Sequence, residues 1–175
     1  MPDADAELDD ELSLLVEVAR EAGKLSLDWL EKGAKSWDKS PGNPVTEADI
    51  AINDLISKRL RQARPGYGWL SEETKDNPLD RTQDRVWVVD PIDGTKDFVK
   101  GEAGFCVSIA RLEGRQPVAG VVYNPLLDEL FAARVGGGAT MNGKPVRVTT
   151  HSELSCRMVG QPDVFVRGGA AKYWP

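Results

Sequence analysis

A chain of 175 residues with 41% hydrophobic content is long enough to bury one core, and its totals are those of an ordinary globular protein. Its 28 acids outnumber 22 bases, and the net charge of −6 argues against a nucleic-acid partner held through phosphate contacts. The two cysteines, Cys106 and Cys156, form no CxxC pair and the single His151 has no neighbour of ligand type, so zinc, iron–sulfur and disulfide frameworks lack support and a reducing, cytoplasmic location is expected.

The acidic N-terminus lacks the basic flank and apolar core of a signal peptide, and no run reaches the roughly 18 apolar residues of a membrane span, so no membrane partner is expected. Residues 1–10 are acidic and poor in large apolar groups, which predicts a disordered tail ahead of a domain over 11–175. Leu8, Leu12, Leu15, Ala19, Ala22, Ser26 and Trp29 step by four and three, the stripe of a long amphipathic helix that Gly33 would cap. Ala34 to Pro44 reads as a polar loop. Ile52, Leu55, Ile56 and Leu60 then place a helix from about Glu47 to Arg64, with Thr46 as N-cap and Asp49 at the third position of a capping box.

Gly68-Trp69-Leu70-Ser71 predicts a short strand that ends in Glu72 and Glu73, and Lys75 to Arg85 a charged connection. Val86 to Val89 is a β-forming run that delivers Asp90-Pro91-Ile92-Asp93-Gly94-Thr95; Pro91 and Gly94 predict that the sheet ends near Asp90 in a sharp turn. Beyond Phe98 the pattern is of hairpins: Phe105 to Leu112, Val118 to Tyr123, Glu129 to Ala133, and a pair joined by Asn142-Gly143. Gly136-Gly137-Gly138 lacks the lysine that a phosphate loop would carry and reads as a turn. One more strand could lie between Met158 and Val166, although Pro162 interrupts it.

Three elements thus carry acids at an end: Asp49 at a helix start, Glu72 and Glu73 after one strand, Asp90 and Asp93 after another. If the strands are neighbours, these like charges gather at one sheet edge, where a cation stabilises them. Asp90, the Ile92 carbonyl, Asp93 and the Thr95 hydroxyl are oxygen donors of the type that magnesium selects. A helix opening at Gly94-Thr95 would aim backbone N–H groups at an anion, and metal-activated water near the phosphorus would complete a phosphate hydrolase. Haloacid-dehalogenase-type phosphatases also carry Asp-Gly-Thr after an apolar strand, but with one residue between their two aspartates, whereas Pro91 and Ile92 separate Asp90 from Asp93 here.

Asp90-Pro91-Ile92-Asp93-Gly94-Thr95 with Phe98 resembles the signature of the inositol monophosphatase family of magnesium-dependent, lithium-sensitive phosphatases. Ser71-Glu72-Glu73, Val45-Thr46-Glu47-Ala48-Asp49, Gly120-Val121-Val122-Tyr123-Asn124-Pro125 and Asn142-Gly143 resemble further landmarks of that family in the same order. The resemblance implies an α/β (α+β) fold, a layered αβαβα sugar-phosphatase architecture with a mainly antiparallel sheet in this N-terminal portion. It implies that Glu72, Asp90 and the Ile92 carbonyl hold one magnesium ion, and that Asp90 and Asp93 share a second. Thr95 and Asp49 would orient the attacking water with help from Glu72 through its metal, and the N–H groups of Gly94 and Thr95 would receive the phosphate. Glu73 would act there or as support.

The family also carries an aspartate in a later Trp-Asp element, which Trp174-Pro175 does not supply, so the chain reads as the N-terminal portion of such an enzyme. The expected substrate is inositol monophosphate. Gly94 to Lys100 also resembles the corresponding part of 3′(2′),5′-bisphosphate nucleotidases, which act on phosphoadenosine phosphate. An inactive metal- or phosphate-binding fragment is the expectation of a different class, and a homodimer is a family habit.

Overall fold

The structure is a computed structural model that describes residues 2–148 and 150. His151, Cys156 and the strand anticipated between Met158 and Val166 lie outside the described residues. The chain begins with helix α1 (Pro2–Lys32), then an antiparallel hairpin, β1 (Ser36–Ser40) and β2 (Asn43–Thr46), and helix α2 (Glu47–Ala63). A seven-stranded sheet follows in the order β3 (Gly68–Ser71), β4 (Arg85–Asp93), β5 (Cys106–Glu113), β6 (Gln116–Asn124), β7 (Glu129–Arg134), β8 (Gly138–Met141), β9 (Lys144–Val146). Helix α3 (Thr95–Lys100) lies between β4 and β5. The β3–β4 pair is parallel and every other ladder antiparallel, which gives the mainly antiparallel sheet that the sequence predicts.

Helices α1 and α2 pack on one face of this sheet. Leu15, Val18, Ala19 and Ala22 of α1 are fully buried, as are Ile52, Ile56 and Leu60 of α2, against Trp87, Val89, Ile109, Val121 and Leu130 of the strands. Alternation along the strands turns the other set outward, so Val122 and Phe131 stand exposed on the opposite face. Where α1 crosses β6, a Cβ on Gly23 would sit 2.4 Å from the Tyr123 ring, so that crossing has room only for glycine. No helix among the described residues is long and apolar enough to cross a membrane.

The acidic N-terminus departs from the expected tail. Helix α1 already includes it, because its acids meet bases on the sheet and α2: Asp5 and Asp9 pair with Arg134, Glu7 with Arg85, and Asp10 with Arg64. Each surface pair is worth little alone, but four acids in the first turns of one helix also suit its dipole. Deeper in, Glu11 and Arg111 are both buried, with Arg111 Nη1 2.7 Å from Glu11 Oε2. That contact lacks hydrogen-bond geometry and holds by charge, while Glu11 Oε1 accepts from the Tyr67 hydroxyl. A second departure is the segment Ala34 to Pro44, expected as a loop, most of which forms the β1–β2 hairpin. Exposed throughout β1, it has no apolar alternation to betray it and is held by backbone pairing.

Candidate active site

Thr46 caps α2 as its sequence requires: its hydroxyl accepts from the Ala48 and Asp49 N–H groups, and Asp49 Oδ2 accepts in return from the Thr46 N–H at 2.8 Å. Asp49 is only 1% exposed. Its other oxygen, Oδ1, lies 3.2 Å from the Thr95 hydroxyl, which is also 3.1 Å from the Ile92 carbonyl. One carboxylate therefore caps the helix and reaches the site, and these roles are compatible because they use different oxygens. Burial pushes the Asp49 carboxyl above the usual range, against the opposing donors on Thr46 and Thr95.

The parallel register pairs Ser71 with Val89, and the Glu72 N–H continues it by donating to the Val89 carbonyl at 3.2 Å. Glu72 thereby comes beside Asp90. Burial first, and then the Glu72 charge, push Asp90 up to about 7. Beyond Asp90 the ladder is irregular, and β4 resumes pairing at Asp93 opposite Cys106, so the strand runs three residues past its expected end. The Cys106 thiol sits 3.9 Å from Asp93 Oδ2, and burial with the nearby Asp93 and Asp90 charges pushes it up to about 12, which keeps it protonated and poorly nucleophilic.

Gly94 then turns with φ +94 and opens α3; a Cβ there would stand 2.4 Å from the Gly104 carbonyl, so no other residue fits. The first amides of a helix have no acceptor within it, and those of Gly94 and Thr95 lie beside a cavity of about 730 Å³. Glu72, Asp90, Ile92, Asp93, Gly94 and Thr95 line this cavity, with hairpin residues 42–44 as one wall. Asp49 does not line it but stands behind Thr95, one hydrogen bond from the space where a substrate would lie.

Among the described residues, no group of three or more His, Cys, Asp or Glu is placed to hold a metal ion by itself. The ligand set expected from the turn is thus not drawn into a closed cage. The acids meet as the Glu72–Asp90 pair, whose mutual repulsion a cation would relieve, with Asp93 and a carbonyl nearby. That donor set fits magnesium, which keeps several waters and needs only one or two carboxylates.

Lys39, which nothing in a polar loop marks out, reaches from β1 to Glu72 at 3.1 Å and Glu73 at 2.6 Å. Burial works against its ammonium, but the two acids outweigh it and raise Lys39. Burial likewise raises Glu73, against the pull of Lys39. Glu73 thus faces the lysine and does not line the cavity. Asn53, Ser71 and Thr74, which bond to one another behind the acid turn, were also not foreseen. The one signal was a polar residue on the apolar stripe of α2.

A sequence model of the inositol monophosphatase family matches residues 7–162. Inositol monophosphatase 1 of Solanum lycopersicum is 39% identical over 155 residues, 87% of this chain and 57% of that protein. The crystal structure of the extragenic suppressor protein suhB from Bartonella henselae superposes with a TM-score of 0.78 at 34% identity, covering 83% of this chain and 57% of that one. An IMPase/NADP phosphatase crystallised with Mg2+ and phosphate superposes with a TM-score of 0.72 at 25% identity, covering 79% of this chain and 53% of that one. The chain spans little more than half the length of the relatives it matches. The family match over nearly all of the described residues, a range that includes the acid-bearing strand ends, establishes that the chain belongs to the inositol monophosphatase family.

Proposed function

We propose that this protein hydrolyses a small phosphate monoester with magnesium, inositol monophosphate being the substrate that the tomato relative's name supports. The observation that carries the reading is the Thr95 hydroxyl, which joins buried Asp49 to the cavity beside the Glu72–Asp90 pair. Magnesium would be held by Glu72, Asp90, the Ile92 carbonyl and Asp93, with water completing its shell. When bound, it supplies Lewis acidity at the phosphate and lowers the pKa of water.

The chain's own residues do the rest. The Gly94 and Thr95 amides bind phosphate oxygens and fix the phosphorus. Thr95 Oγ1 takes a proton from the attacking water as its own passes to Asp49 Oδ1, whose burial makes it the stronger base. The bond from phosphorus to the ester oxygen then breaks, a solvent water protonates the leaving alkoxide, the proton held by Asp49 returns to the hydroxide so formed, and no covalent intermediate forms on the protein.

A second reading, a 3′(2′),5′-bisphosphate nucleotidase, is favoured by Lys96, which lines the same cavity and offers charge to a second phosphate, and by Lys100, which a phosphate would draw from Asp97 and Glu102. The name of the IMPase/NADP phosphatase, which points to a nucleotide substrate for that protein, supports this second reading. Phosphate release from inositol monophosphate and from phosphoadenosine phosphate by the purified protein with Mg2+ decides between them. Turnover that Asp93→Asn abolishes supports the hydrolase. Failure to turn over either substrate while Mg2+ still binds supports an inactive metal- or phosphate-binding fragment. The homodimer belongs to the same proposal, and sedimentation at twice the chain mass is its expected outcome.

A further inference from the structure

Asn53 lies one turn beyond Asp49 on α2 and is 6% exposed. Its Oδ1 accepts from the Ser71 hydroxyl at 2.6 Å, and its Nδ2 donates to Thr74 Oγ1 at 3.1 Å. The same Ser71 oxygen accepts from the Glu73 N–H at 3.2 Å, and the same Thr74 oxygen accepts from Trp69 Nε1 at 3.2 Å. Ser71 and Thr74 are the residues on either side of Glu72-Glu73, so one buried amide holds both ends of the turn that carries the acids. The pairing demands an amide, because Ser71 offers a proton to Asn53 while Thr74, already receiving one from Trp69, takes a second.

A buried asparagine could equally be a satisfied core residue with no bearing on the site. Two features separate the cases. Its partners are not scattered over the core but confined to the acid turn, and its helix also carries Asp49, so α2 fixes the Thr95 side and the Glu72 side of the cavity from a single rigid element. We propose that Asn53 is a positioning residue for Glu72, setting the site's affinity for its divalent cation without touching cation or substrate. The proposal rests on the reading of Glu72 and Asp90 as metal ligands. Hydrogen-bonding partners that orient metal ligands typically change affinity by about 10- to 100-fold when removed, and tenfold is the expectation here.

The test uses Mn2+ in place of Mg2+, as another hard cation of oxygen sites, with free ion followed by electron paramagnetic resonance during titration of the purified protein. Asn53→Ala is expected to raise the dissociation constant about tenfold, and Ser71→Ala, a smaller loss that cuts the same link from the strand side, by a similar factor. The double variant should bind no more weakly than the worse single one, because both changes break one chain of bonds. Thermal melting supplies the structural control: at temperatures well below each variant's transition, a merely structural role leaves the dissociation constant unmoved. Wild-type binding with both variants within about twofold of it overturns the proposal alone. Failure of the wild-type protein to bind Mn2+ overturns the metal-ligand reading and the proposal with it.

Discussion

Asp90, pushed up to about 7 beside Glu72, makes cation binding a competition with a proton. The ion displaces that proton, so apparent affinity scales inversely with one plus the ratio of protonated to ionised Asp90. Near pH 8 that factor is close to one, and near pH 6 it is about ten, so affinity for Mg2+ should fall about tenfold between those values. Stability of the metal-free chain runs with the opposite sign. Unfolding returns Asp90 to its ordinary value of 3.8, so between that value and about 7 the folded chain keeps a proton that the unfolded chain has released. The contribution is fully present below 3.8 and is lost as pH rises through about 7. Raised Asp49 and Glu73 act in the same direction. The chelator-treated protein should therefore lose stability from this site as pH rises toward 8, and Mg2+ should raise its melting temperature more at pH 8 than at pH 6. Calorimetric titration of Mg2+ at both values, with melts in parallel, measures both effects, and Asp90→Asn should flatten the dependence. Affinity that is the same at the two pH values would refute the coupling.

Thr95→Val, which keeps shape and removes the hydroxyl, should lower kcat by about 100-fold or more, while Thr95→Ser keeps most of it; phosphate-release kinetics of the two compare directly. Gly94→Ala forces a side chain onto the Gly104 carbonyl at φ +94 and should cost about 2–4 kcal/mol in urea unfolding; a loss below about 0.5 kcal/mol would contradict the close approach. Arg111→Met removes the buried partner of Glu11 and leaves only Arg64 at 3.6 Å, and should cost about 3–5 kcal/mol, much of it recovered by adding Glu11→Leu. Additive losses in the double variant would show that the pair is not a unit.

How much of this was legible depends on which force sets each element. The α2 cap was readable because Thr46 and Asp49 bond within three residues of each other, and strand β4 because its apolar run is unbroken. That Asp49 faces the site was not derivable from spacing, since only the fold brings Thr95 to its second oxygen; family resemblance supplied it. The β1–β2 hairpin and the helical N-terminus were illegible for a shared reason: β1 and the first turns of α1 carry no apolar alternation, and what anchors them lies far along the chain, Glu72 and Glu73 for Lys39, Arg134 and Arg85 for the acids. Asn53 was visible only as a polar interruption, and its meaning lies in residues about twenty positions away.

The parallel pairing of β3 with β4 carries a kinetic consequence. Glu72 meets Asp90 only after residues 72–84 have looped back and the two strands have locked in register, whereas α2 and the hairpins beyond β5 rest on local contacts. During refolding, helical signal should precede the competence to bind a divalent ion. A slip of one residue in β3 would turn Glu72 to the other face of the sheet, so ion binding also reports whether that parallel ladder has closed in register.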